Sequence, residues 1–119
     1  MTDFNWNEFY LLAEYLNSDY SFGCQEAVQR TIVSRAYYGA FCMAKEVLHH
    51  KYKITVPQNA TSYACVLFEY KKQGRDDISA LLRDLREYRN CCDYNKNVND
   101  LHKIVNESLI ISENIIKNL

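Results

Sequence analysis

Ile78-Ser79-Ala80-Leu81-Leu82-Arg83-Asp84-Leu85-Arg86-Glu87-Tyr88-Arg89-Asn90-Cys91-Cys92 is the stretch that decides the fold. Its apolar residues Ile78, Leu82, Leu85 and Cys92 share one line, and Arg89 fills the missing step. Spacings of 4, 3, 4 and 3 residues keep all five on one face of an α-helix. A guanidinium on a core-facing seam is costly unless it is paired or reaches water. Arg89 is therefore either one half of a structural ion pair or the floor of a polar site.

The same periodicity extends in both directions. Upstream, residues 4–17 carry Phe9, Leu12, Ala13 and Leu16 at helical spacing, closed by Asn17-Ser18-Asp19. Tyr20-Ser21-Phe22-Gly23 is a short connector. A long second helix over 24–51 has two apolar lines: Val28, Ile32, Ala36, Gly39, Met43 and Val47 on one, Tyr37, Phe41, Ala44 and Leu48 on the other. A helix apolar on two sides belongs in the middle of a bundle. The small residues Gly39, Ala40 and Ala44 allow a neighbouring helix or a tyrosine close approach.

Pro57-Gln58-Asn59 marks a loop, and a third helix over 61–73 stops at Gly74. Asp76 or Asp77 opens the fourth helix, which runs to about Cys92, and Asn95-Lys96-Asn97 breaks the chain again. A fifth helix over 98–117 holds Val98, Leu101, Ile104, Val105, Leu109, Ile111, Ile115 and Ile116. The expected fold is all-α: one domain over 1–119, an up-and-down bundle of about five helices.

Composition agrees. Three glycines and one proline in 119 residues are few for a β-rich or open α/β fold. A net charge of −1 gives no global basic field, which argues against a non-specific nucleic-acid coat protein but leaves room for a local RNA site. No stretch approaches the ~20 apolar residues of a membrane span, and no secretion signal is visible at the start. The five cysteines, Cys24, Cys42, Cys65, Cys91 and Cys92, include no CxxC pair; free thiols in a reducing cytoplasm are the expectation. His49-His50 ends the second helix, where histidines suit the helix dipole. No metal site or cofactor motif is present in the pattern.

Two segments taken together carry a family resemblance. Ser34-Arg35-Ala36-Tyr37-Tyr38-Gly39-Ala40-Phe41 lies on the second helix, and Arg89-Asn90-Cys91-Cys92-Asp93-Tyr94 ends the fourth. This chain resembles the HEPN superfamily, in particular its branch with an Arg-Ala-Tyr-Tyr helix and a later Arg-Asn-x-x-Asp-Tyr, from about Cys24 onward. The resemblance implies a homodimeric helical bundle with the second motif facing its copy across a cleft. It also implies metal-independent RNase activity on tRNA or mRNA, in toxin–antitoxin or antiphage defence. Carried over by position, Arg89, Asn90 and Tyr94 are the candidate catalytic residues, and Arg35, Tyr38 and Asp93 the supporting ones.

The chain departs from the family's active pattern at one place. Tyr94, Asn95 and Lys96 stand where the family's histidine belongs, and the next histidine downstream is His102. Metal-free RNA cleavage needs a base for the 2′-hydroxyl and an acid for the leaving 5′-oxygen, work that suits histidine. Arginine clamps phosphate but moves no proton. Asp93, four residues after Arg89, is placed for an intrahelical ion pair that competes with phosphate. The alternative expectation is a degenerate HEPN module that binds a protein partner, such as a nucleotidyltransferase-type antitoxin, or a nucleotide.

Overall fold

The computed structural model describes residues 3–19 and 25–119. Every regular element among them is helical: α1 (Asn7–Ser18), α2 (Gln25–Tyr52), α3 (Ser62–Lys72), α4 (Asp76–Tyr94) and α5 (Leu101–Asn118). The chain is an all-α bundle, as the periodicity requires. The expected connector Tyr20-Ser21-Phe22-Gly23 and Cys24 lie outside the described residues.

The long helix α2 packs against all four others. Arg30 of α2 meets the end of α4 at Cys92 and Asn95, while Ala44 and Leu48 share a cluster with Ile78 and Leu82. The two helices therefore run antiparallel. α5 runs the same way as α2, with Val105 beside Ile32, Ser112 bonded to the Ala36 carbonyl at 2.7 Å, and Ile115 in the cluster with Ala40 and Ala44.

The two expected lines of α2 feed two core clusters, which also succeed one another along the helix. One cluster gathers Tyr37, Ala40, Ala44 and Leu48 with Val66, Tyr70, Ile78, Leu82, Leu85 and Ile115. The other gathers Ile32, Val33 and Ala36 with Ala13, Cys92 and Val105. Met43 and Val47, expected in the core, are only half-buried. Arg89 falls on the α4 seam between Leu85, the last α4 residue of the first cluster, and Cys92 of the second.

Local stereochemistry sets the joints. Gly74 takes φ +76°, and the N–H groups of Gly74 and Arg75 return to the carbonyls of Lys71 (3.0 Å) and Tyr70 (2.8 Å). This 6→1 and 5→2 pair closes α3 as a left-handed glycine stop. Asp76 and Asp77 occupy the first turn of α4, where carboxylates favour the positive end of the helix. α5 begins at Leu101, three residues later than Val98 suggests, because Asp100 adopts a left-handed φ of 56°.

Gly39 is the notch that seats α1. A Cβ there would lie 2.9 Å from the Tyr10 backbone nitrogen and 3.2 Å from the Tyr10 Cβ. Tyr10 thus takes the buried position in α1 beside Ala13, and Leu12, expected in the core, points outward at 42% exposure. The small Ala44 has a matching role toward α3, where its carbonyl accepts from the buried Tyr70 hydroxyl at 2.8 Å.

Candidate functional site

The second half of α4 places Arg86, Glu87, Arg89, Asn90, Cys91 and Tyr94 on the wall of an open groove of about 570 Å³, completed by Asn95. Helical spacing explains the set: residues three and four apart share a face. Arg89 keeps 12% of its side-chain exposure, so most of its stem is enclosed while the groove still reaches its head.

Aromatic faces surround the Arg89 guanidinium. Its Cζ lies 4.8 Å from the Tyr37 ring centre, 5.6 Å from that of Tyr38 and 6.0 Å from that of Tyr94. These are cation–π distances, and the rings replace part of the lost hydration. Burial pushes the Tyr37 phenol above its ordinary pKa, while the Arg89 and Arg86 cations beside it pull it partly back.

Conventional pairing around Arg89 is weak. The nearest carboxylate oxygen, from Asp93, is 3.7 Å away, well beyond the ~2.7–2.9 Å of a charge-assisted hydrogen bond. The Tyr94 hydroxyl accepts from Arg89 at 3.4 Å. The Arg89 Nε is enclosed and meets no acceptor. The intrahelical pair expected with Asp93 is present but loose, the Tyr37 phenol also hydrogen-bonds the Arg89 side chain, and the Arg89 Nε alone is enclosed without a partner.

Arg35 reaches the same region from α2. Its Cζ lies 4.9 Å from both the Phe9 and the Tyr38 ring centres, so Tyr38 carries a cation near it from each helix. Ser34 links the two sides through long contacts of 3.5 Å to Arg35 and to Asp93. Arg89, Asn90 and Tyr94 line the groove; Arg35, Tyr38 and Asp93 do not, and stand behind it.

His102 is exposed on the first turn of α5, 3.4 Å from Asn106, and no histidine lines the groove. His49 and His50 are exposed at the end of α2, with His50 3.7 Å from Glu46. Among the described residues, no group of three or more His, Cys, Asp or Glu side chains is arranged to hold a metal ion. Cys92 is a core residue whose thiol burial pushes up to about 11. No helix among the described residues is long and apolar enough to cross a membrane.

The chain matches no protein-family model, no curated protein and no solved structure.

Two arginines outside the motif shape the site. Arg30 donates to the carbonyls of Cys92 (2.9 Å), Asn95 (2.6 Å) and Lys96 (3.1 Å), and pairs with Glu26 at 3.3 Å. It satisfies carbonyls that the helix end leaves without partners, and so fixes where Arg89 and Tyr94 stand. Nothing local marks Arg30 for this, since its acceptors are more than sixty residues away in sequence. Arg86 lines the groove with its Cζ 3.7 Å from the Tyr63 ring centre. Its spacing of three from Arg89 was the available signal.

Proposed function

We propose that this chain is a HEPN-like, metal-independent endoribonuclease module, acting as a homodimer in toxin–antitoxin or antiphage defence in the cytoplasm. The Arg89 groove is its RNA site. The observation that supports this reading is a ring-backed guanidinium on a core seam whose nearest carboxylate lies 3.7 Å away. A structural ion pair in that position would be short and saturated, because an incompletely paired buried charge is costly. A cation held open beside a groove is suited to a phosphate, whose negative charge grows as the 2′-hydroxyl attacks. In this reading Arg89 holds the scissile phosphate, Asn90 and Tyr94 orient it, and Arg35, Tyr38 and Asp93 keep the cation in place.

A second reading rests on a specific observation, the absence of any imidazole from the groove lining. In it the domain binds RNA, a nucleotide or a protein antitoxin through the same cation and cleaves nothing. One experiment separates the two. The intact chain and Arg89→Met are expressed side by side, and growth, tRNA and mRNA integrity and melting are followed.

Methionine fills the ring-lined space without the charge, so the variant is expected to melt within a few degrees of the parent. Under the nuclease reading, the intact chain yields fragments ending in 2′,3′-cyclic phosphate, and the variant lowers their rate by at least about 100-fold. Intact RNA at high levels of the unaltered chain excludes the nuclease. A large loss of melting temperature in Arg89→Met assigns the arginine to structure.

A further inference from the structure

Arg86 carries a groove charge that no carboxylate among the described residues meets. It sits one turn before Arg89, on the same strip of α4 and in the same groove. Its Cζ lies 3.7 Å from a ring centre (Tyr63), as that of Arg89 lies 4.8 Å from one (Tyr37). Its Nε, like that of Arg89, is enclosed without an acceptor. Among the described residues Arg86 and Arg35 form no ion pair, whereas Arg30, Arg75, Arg83 and Arg89 each approach a carboxylate, and of the two only Arg86 lines the groove.

Two cations one turn apart repel each other, and partial burial strengthens that repulsion. Of the groove residues only Glu87 carries a compensating charge, and it forms no ion pair with either arginine. Each guanidinium lies by a ring and is enclosed at Nε, so a ligand in the groove would meet terminal nitrogens, of which the Arg89 Nη1 already makes long contacts with the Tyr94 hydroxyl (3.4 Å) and the Asp93 carboxylate (3.7 Å). Paired guanidinium edges match the several oxygens of one phosphate group, a fit that lysine's point charge does not reproduce.

We infer that Arg86 is a second anion-binding residue of this groove, and that Arg86 and Arg89 together clamp a single phosphate group. The inference rests on the phosphate reading of Arg89 given above and adds a ligand-binding residue that the Arg-Asn-x-x-Asp-Tyr motif does not contain. The Tyr63 face, contributed by α3, is then part of the site, since it holds Arg86 in place.

The test is a titration of the intact chain, Arg86→Gln, Arg86→Lys and Arg89→Met. The probes are inorganic phosphate and a short RNA lacking terminal phosphates, with side-chain arginine NMR signals and calorimetry as readouts. Arg86→Gln is expected to weaken both probes by roughly 10- to 100-fold, the loss of charge-assisted hydrogen bonds. Arg86→Lys falls between, with unchanged melting, and separates lost charge from lost fork geometry. Weakening of inorganic phosphate alone assigns the clamp to a terminal phosphate; weakening of the RNA as well assigns it to the diester backbone.

The inference is overturned if Arg86→Gln and Arg86→Lys bind both probes as the intact chain does while Arg89→Met does not. In that outcome the Arg89 reading survives. It is overturned too if the Arg86 variants change only the oligomeric state, which makes Arg86 a contact between copies. Absence of binding by the intact chain removes the phosphate reading of Arg89 and this inference with it.

Discussion

The two halves of α4 present the same helical face to the same neighbour, yet one half is closed and the other is open. In the first half Ile78, Leu82 and Leu85 are fully buried against Ala40, Ala44 and Leu48 of α2. In the second half the seam opens at Arg89, where α2 answers with Ser34, Tyr37 and Tyr38, before it closes again at the buried Cys92. Small aliphatic side chains let two helices close on each other, whereas aromatic rings with hydroxyls hold a cation at the edge of water. The difference shows how a helix bundle keeps an arginine on its core seam without a tight salt bridge. It encloses the stem, faces the charge with rings and leaves one side open.

The largest effect is expected at the closed half. Leu82→Ala removes a fully buried side chain from the first cluster and should cost about 2–5 kcal/mol, from lost transfer energy and the cavity left behind. Thermal melting should fall by roughly 10 °C or more. Anion binding in the groove should persist wherever the variant is folded. Arg89→Met is the mirror experiment, with melting held and the groove silenced. If Leu82→Ala and Arg89→Met lower the melting temperature alike, the two halves do the same work and the contrast between them is wrong.

A smaller effect is expected at the joint that positions the open half. Arg30→Ala removes the donor that serves the carbonyls of Cys92, Asn95 and Lys96. The cost should be about 1–3 kcal/mol, because charge-assisted bonds are lost and the partly exposed site lets water take over some of them. Hydrogen exchange gives the sharper readout. Amides near Asn90 to Tyr94 should exchange faster, while those near Leu82 and Leu85 keep their protection. Uniform loss of protection along α4 would mean that the helix responds as one unit.

Much of this architecture was legible in the sequence, for reasons that are local. The seam of α4 follows from a repeat within one helix, and the stop at Gly74 follows from the freedom of glycine at positive φ. Gly39 announces a close approach because nothing else fits 2.9 Å from a neighbouring backbone atom. What was missed depends on partners distant in the chain. Leu12 and Tyr10 are both adequate core residues by periodicity; Tyr10 wins because the Gly39 notch receives its backbone and its hydroxyl reaches Glu113 at 3.4 Å. Arg30 reads as an ordinary solvated cation until the end of α4 is beside it. For the site, the motif residues that line the groove were legible, while Arg86 acquires its meaning from Tyr63 on another helix.

The smallest predicted effect concerns how α5 steadies the open half. Tyr88, one residue before Arg89, donates a hydrogen bond from its hydroxyl to Glu107 of α5. That bond, with burial and the Glu107 charge behind it, pushes the Tyr88 phenol up to about 12. A pKa raised on folding stabilises the native state fully below the unfolded value near ~10, and the contribution is lost as pH climbs through the folded value. Stability should therefore decline between about pH 10 and 12, and Tyr88→Phe should flatten this part of the profile while lowering stability slightly at neutral pH. Tyr70, whose phenol burial also raises, titrates higher still and acts on the closed half, so melting followed at both Tyr88→Phe and Tyr70→Phe separates the two. An unchanged alkaline profile in Tyr88→Phe would show that α5 does not hold the Arg89 half of α4 through this bond.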